Sequence, residues 1–138
     1  MLSRESIFGA LIAVQAVHSI EECVGRLWES YPPARFVAGL VSTDHAQSFV
    51  ALNVALVALG AWCYFWPALR GWVAARAVLW LWIVGEILNG TAHLVWAFWS
   101  GSYTPGVATA PLLLVLAIYL AYQVMSRSHA NRQAVNTP

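Results

Sequence analysis

Four apolar segments, each about as long as a bilayer is thick, account for most of this 138-residue chain. Only short stretches rich in Pro, Gly, Ser and Arg separate them. Crossing the hydrocarbon core takes about 20 apolar residues per helix. Four such helices consume most of the sequence and leave no room for a separate soluble domain. Composition agrees, with 60% of residues hydrophobic and 9% charged, where soluble domains carry about 25% charged residues. The charged residues are Arg, Glu and a single Asp, with no Lys. That balance excludes a basic nucleic-acid surface and an acidic tail, and the wealth of apolar and aromatic residues excludes a disordered chain. The expected fold class is all-α: an integral membrane four-helix bundle forming a single domain over residues 1–138.

The expected spans are residues 7–28, 45–69, 72–99 and 107–125. The charges of Arg4 and Glu5 cancel ahead of the first, so it reads as a retained helix and not a signal peptide. Residues 29–44 read as a connection, because Pro32-Pro33 disfavours helix at and before itself, with apolar Phe36–Leu40 lying in the interface. Residues 100–106 form a turn by composition, and residues 126–138 form a polar tail. Arg placement orients the bundle. With the N-terminus inside, Arg4, Arg70, Arg76, Arg127 and Arg132 are cytoplasmic and only Arg26 and Arg35 are outside, as the positive-inside rule requires. Both termini are therefore expected in the cytoplasm. Trp28, Trp66, Trp72, Trp96 and Trp99 fall near span ends and read as interface anchors. Cys23 and Cys63 form neither a disulfide framework nor a zinc knuckle and read as small buried hydrophobes.

Against this background several polar residues stand out. A charge at a helix centre in the bilayer costs about 2.5–3.5 kcal/mol on insertion scales. The first span nevertheless carries Gln15, His18, Glu21 and Glu22, the third carries Glu86, Asn89 and His93, and the second carries His45 and Asn53. At 3.6 residues per turn the first set falls within a single arc of its helix, with Glu22 one turn above His18. Glu86, Asn89 and His93 form an i, i+3, i+7 stripe. Lipid satisfies neither stripe, so the two should face each other inside the bundle. Both lie towards the outer half of the membrane. His45 sits at the outer mouth and Asn53 roughly 12 Å deeper, giving one polar chamber that opens outward.

The run His18-Ser19-Ile20-Glu21-Glu22 reads His-x-x-Glu-Glu. In this it resembles the family of small multi-span membrane proteins named for its HXXEE motif. The resemblance implies a full-length match, a motif in an early helix and a bacterial or archaeal cytoplasmic membrane. The family's function is unassigned, so the resemblance implies a functional site without naming a reaction.

Three chemistries suit these residues. Neutral His and ionised Glu ligate Zn, Fe or Mn, and a divalent ion would neutralise the buried acids. His18 and Glu22, at i and i+4, can ligate from one helix face. Glu86 and His93 lie about 10.5 Å apart along their helix, so one ion would use only one of them. A two-tier site would use both, with His45 or Glu21 completing the upper tier. Such a metal would act as Lewis acid or activate water on a lipophilic substrate, with Glu21, Glu86 and Asn89 as candidate catalytic residues. The second chemistry is metal-free acid/base catalysis, an isomerase or cyclase of an isoprenoid- or sterol-like substrate using Glu and His. The His18–Glu22 spacing is loosely similar to that of the emopamil-binding type of sterol isomerase, with Trp82 or Trp96 placed to stabilise a cation. The third is a non-enzymatic carrier or sensor for protons or metal ions. Gly85 and Gly90 flank the stripe and offer close helix approach or homo-oligomerisation. The expected partners are membrane lipid or a lipophilic small molecule, and not nucleic acid.

Overall fold

The computed structural model describes residues 3–136, with side chains described through residue 126. Among these residues there is helix and turn but no strand. The first helix, α1, spans Arg4–Val24. Ser3 starts it by accepting from the Ser6 N–H at 3.0 Å, which satisfies one of the donors every helix start leaves unpaired. It stops at Gly25, where a Cβ would lie 2.5 Å from Pro105. Arg26, in the left-handed region at φ 55, redirects the chain into the short α2, Leu27–Ser30.

The segment expected to be a connection is helical. Pro32 and Pro33 occupy the first two positions of α3, Pro32–Gly39. The N–H that proline lacks has no intrahelical partner there in any case, so the prolines start this helix and do not prevent it. Ala34 and Ala38 bury against α4, while Phe36, Val37 and Leu40 remain exposed. Asp44 caps α4, His45–Cys63, through a 3.0 Å bond from the Gln47 N–H. This helix continues into a π-helical turn, Tyr64–Ala68. Pro67 cannot donate to the carbonyl four residues back, and the ladder shifts to bonds five residues long, as in Leu69 N–H to Tyr64 O at 3.0 Å.

The fifth helix, α5, spans Ala75–Ser100 and ends at Gly101 with φ 61. Helix α6 follows after a turn and runs Ala110–Asn136, so its backbone continues well past the expected end at residue 125. Arg127 and Arg132 lie beyond the described side chains. Three helical segments are long and apolar enough to cross a membrane: Arg4–Val24, His45–Ala68 and Ala75–Ser100. The apolar part of α6, Ala110–Ser126, is shorter.

Helix α5 packs on α6, α6 on α1, and α1 on α4, with α3 laid across α4. Gly90 lets α5 approach α6 closely, since a Cβ there would lie 2.7 Å from Leu114. One core lies around the first half of α1, built on Phe8, Leu11, Leu79, Ile83, Leu113 and Leu120. A second joins Leu27, Trp28, Ala34, Ala38 and Phe49. Trp28 is therefore a core residue packed 5.4 Å from Phe49 and not an interface anchor. Trp66, Trp72 and Trp99 are exposed near helix ends. Along α1 the polar residues 15–22 fall between the residues of the first core and those of the second.

Candidate metal centre

Helix α1 buries Gln15, His18, Ser19 and Glu22 on one face, and α5 buries Glu86 and His93 on the face opposite. The facing stripes meet at three residues. One ligand atom from each of His18, Glu22 and His93 lies within 4.8 Å of the others. His93 Nε2 is 2.9 Å from Glu22 Oε1, and His18 Nε2 is 3.4 Å from the same oxygen. The two imidazoles stand edge to face, with centroids 4.7 Å apart. Ligands bound at about 2.0–2.2 Å to a tetrahedral ion lie roughly 3.4 Å from one another. The His18–Glu22 separation matches that spacing, the His93–Glu22 separation is shorter, and all three atoms lie within 4.8 Å of one another.

The Thr109 hydroxyl orients the His18 ring. Its Nδ1 lies 2.6 Å from Thr109 Oγ1, and that hydroxyl donates to Glu21 Oε2 at 2.7 Å. A threonine hydroxyl has one proton to give. With that proton directed at the carboxylate, Oγ1 can only accept from His18, so Nδ1 carries a hydrogen, and in a neutral ring Nε2 is left with the lone pair. That Nε2 is fully buried, makes no hydrogen bond among the described residues, and faces Glu22 Oε1 at 3.4 Å. The Glu22 carboxylate is hydrogen-bonded to His93 Nε2 at 2.9 Å, and a neutral His18 would turn its lone pair towards the same oxygen, an arrangement that a shared proton or a metal ion relieves.

Glu21 points away from the triad, because adjacent helix positions lie about 100° apart. Its carboxylate accepts from the Tyr103 hydroxyl at 2.7 Å, the Ala108 N–H at 3.0 Å, and the Thr109 N–H at 3.1 Å, besides the Thr109 hydroxyl. It thus supplies the anion that the start of α6 favours and holds the 103–109 turn against α1. By accepting from it, Glu21 pushes the Tyr103 phenol above its ordinary pKa. The turn closes over the site at Gly106, which has φ +93. A Cβ there would overlap the His93 ring and lie 2.9 Å from His18 Cε1, so only glycine fits.

Glu86 lies outside the triad. The Gln15 amide, oriented so that both its ends are satisfied, donates to Glu86 Oε2 at 2.9 Å and Oε1 at 3.2 Å and accepts from the Ser19 hydroxyl at 3.2 Å. Asn89 adjoins the same carboxylate. Of the two α5 residues expected to compete for one ion, His93 meets His18 and Glu22. His45 lies away from the triad, its ring beside Gly39 at the end of α3. Asn53 donates back to the Phe49 carbonyl of its own helix at 3.2 Å. Thr109, Gly106 and Tyr103 were not among the expected site residues. The signal for them was faint: a Pro-Gly turn followed three residues later by a threonine at a helix start.

Helices α4 and α5 meet where the Trp82 ring lies against Gly60, and a cleft of about 560 Å³ opens between them. Gln15 and Glu22 of α1 contribute to its lining, together with Asn53, Glu86 and Asn89. The remaining lining is mostly apolar and includes Leu52, Leu56, Leu59, Val78, Leu81 and Trp82.

Fold and site together define a small all-helical protein with a His/Glu cluster buried among long apolar helices. The model of the family described as "Protein of unknown function with HXXEE motif" matches residues 10–120. The chain belongs to that HXXEE family, and its motif is His18-x-x-Glu21-Glu22. No curated protein and no solved structure matches it.

Proposed function

We propose that this is an integral membrane enzyme that uses one divalent metal ion, Zn, Fe or Mn, bound by His18, Glu22 and His93, to act on a lipophilic substrate. The observation that carries the reading is the buried, unpartnered Nε2 of His18 facing Glu22 beside His93. The apolar residues exposed along the helices, such as Val17, Val54, Leu88 and Phe98, would face lipid, where they carry no penalty. The apolar part of α6 would complete a four-helix bundle with both termini cytoplasmic, as the arginine distribution favours.

Three protein ligands leave a fourth position for water or substrate. A metal bound there would supply Lewis acidity or an activated water. The protein's own residues divide the remaining work. Thr109 and Glu21 keep the His18 lone pair on the inner nitrogen, and Gln15 and Asn89 hold Glu86 on the wall of the cleft, where it can give or take a proton from a bound substrate. Glu21 is then a positioning residue. Glu86 and Asn89 are the residues beside substrate. The placement of Glu86 also supports a second reading, metal-free acid/base isomerisation of an isoprenoid- or sterol-like substrate by Glu86 and the His18–Glu22 pair.

Elemental analysis of the full-length protein in detergent, loaded with each metal in turn and desalted, separates the two. The expected result is about one ion per chain, lost in His18→Ala and His93→Ala but retained in His45→Ala. Equal, substoichiometric metal in all four proteins would overturn the metal reading and leave acid/base chemistry.

A further inference from the structure

The cleft between α4 and α5 has a direction. On α4, Leu52, Leu56, Leu59 and Cys63 form one stripe, and on α5 so do Val78, Trp82, Gly85 and Asn89. Each stripe rises about 16 Å. The polar lining gathers at one end, where Asn53 of α4 lies towards Glu86 and Asn89 of α5 and Glu22 of α1. The other end, around Leu59, Cys63, Val78 and Leu81, is apolar. The rim residues Leu56, Leu59 and Leu81 are exposed, so the cleft is open along its length to whatever surrounds the helices. Its volume falls within the range of about 300–1,000 Å³ that holds one small ligand.

Charge narrows the occupant further. Among the described residues the lining holds two carboxylates, Glu22 and Glu86, and no Arg. A divalent ion on the triad would bring the local charge to zero and not above it. Phosphate and carboxylate head groups are recognised by Arg or Lys forks and positive fields, and neither is present. Amide and carboxylate groups instead suit a neutral group that both donates and accepts.

We infer that the cleft binds a single-chain lipid with an uncharged hydroxyl head group, its tail between α4 and α5 and its hydroxyl among Glu86, Asn89 and Asn53. Gly85 sets the width of this site. It lines the cleft, and a Cβ there would meet nothing within 4 Å. A larger side chain, whose Cβ meets no neighbour, would extend into the space of the lipid tail, on a helix position where glycine is itself unfavourable. The inference names the substrate class for the function proposed above and rests on that reading for its chemistry, but binding itself requires no metal.

The test is photolabelling of the full-length protein in phosphatidylcholine nanodiscs. One probe is a long-chain alcohol with a mid-chain diazirine, and the other is the alkyl phosphate of the same chain. The alcohol should label α4 and α5 peptides saturably and at least about tenfold more than the phosphate, a difference of about 1.4 kcal/mol. Gly85→Leu should reduce labelling by a similar factor while its thermal melting stays at or above the parent's. Leu88→Phe, on the exposed face of α5, should change nothing. Equal labelling by the two probes, undiminished labelling of Gly85→Leu, or label spread evenly over the exposed faces would overturn the inference. Persistence of labelling in a protein shown to bind no metal would refute the metal reading alone and leave the lipid site standing.

Discussion

Replacing Thr109 by valine preserves shape and removes one hydroxyl, yet it should weaken metal binding by about 10–100-fold, the usual cost of losing a group that orients a ligand. The hydroxyl makes two short bonds, 2.6 Å from His18 Nδ1 and 2.7 Å to Glu21 Oε2. Glu21 loses little, because the Tyr103 hydroxyl and the Ala108 and Thr109 N–H groups still donate to it. The turn should therefore stay in place. His18 loses its only acceptor for Nδ1–H. Leaving a donor unpaired in the interior costs about 1–3 kcal/mol. The ring can escape by moving its proton to Nε2, but that consumes the lone pair a metal needs. Either route corresponds to about one to two factors of ten at 1.4 kcal/mol each. The assay is competition between the metal-free protein and a fluorescent chelator for zinc. Thr109→Ser restores the hydroxyl and should recover most of the affinity. If Thr109→Val binds zinc as the parent does, or Thr109→Ser is as weak as Thr109→Val, the orienting role of the hydroxyl is refuted.

Gly106→Ala should lower zinc affinity more severely, by about 100-fold or more, because the Cβ would displace both imidazoles and the φ of +93 is strained for any L-residue; the same competition titration checks it. His45→Ala should leave that affinity within about twofold of the parent, since its ring lies beside Gly39 and not in the triad. The Tyr103 phenol has a raised pKa in the folded protein. The stability from its bond to Glu21 is thus fully present below the unfolded value of about 10 and is lost as pH rises through the folded one. Thermal melts between neutral and strongly alkaline pH should show this loss in the parent and a smaller one in Tyr103→Phe.

How much of this was legible in the sequence can be judged residue by residue. Helix periodicity is local, so the sharing of one face by Gln15, His18 and Glu22 followed from spacing alone, as did the stripe of Glu86, Asn89 and His93. The cost of polar groups among apolar helices required the stripes to meet. The segment 29–44 misled because prolines that forbid helix in an interior are welcome at its first turn. Which of the two Pro32 and Pro33 would meet depended on the residues around them. Trp28 misled in the same way. Position near a span end suggests an interface anchor, but α3 folds back over it and makes it core.

The sequence by itself determined an all-helical chain of long apolar segments with two polar stripes that must be buried together, because hydrophobicity and the 3.6-residue repeat act within a segment. It also placed His18 and Glu22 on one face. Only the tertiary structure decided that His93 and not Glu86 completes the cluster, because axial offset and rotation between two helices depend on how their side chains interdigitate, with Gly90 seating α5 against α6. It alone separated the two motif glutamates, Glu22 turned to the histidines and Glu21 to the turn ahead of α6. That division rests on contacts from residues about 70 to 90 positions away in the chain. No local pattern carries such contacts, because their distances are set by the packing of whole helices.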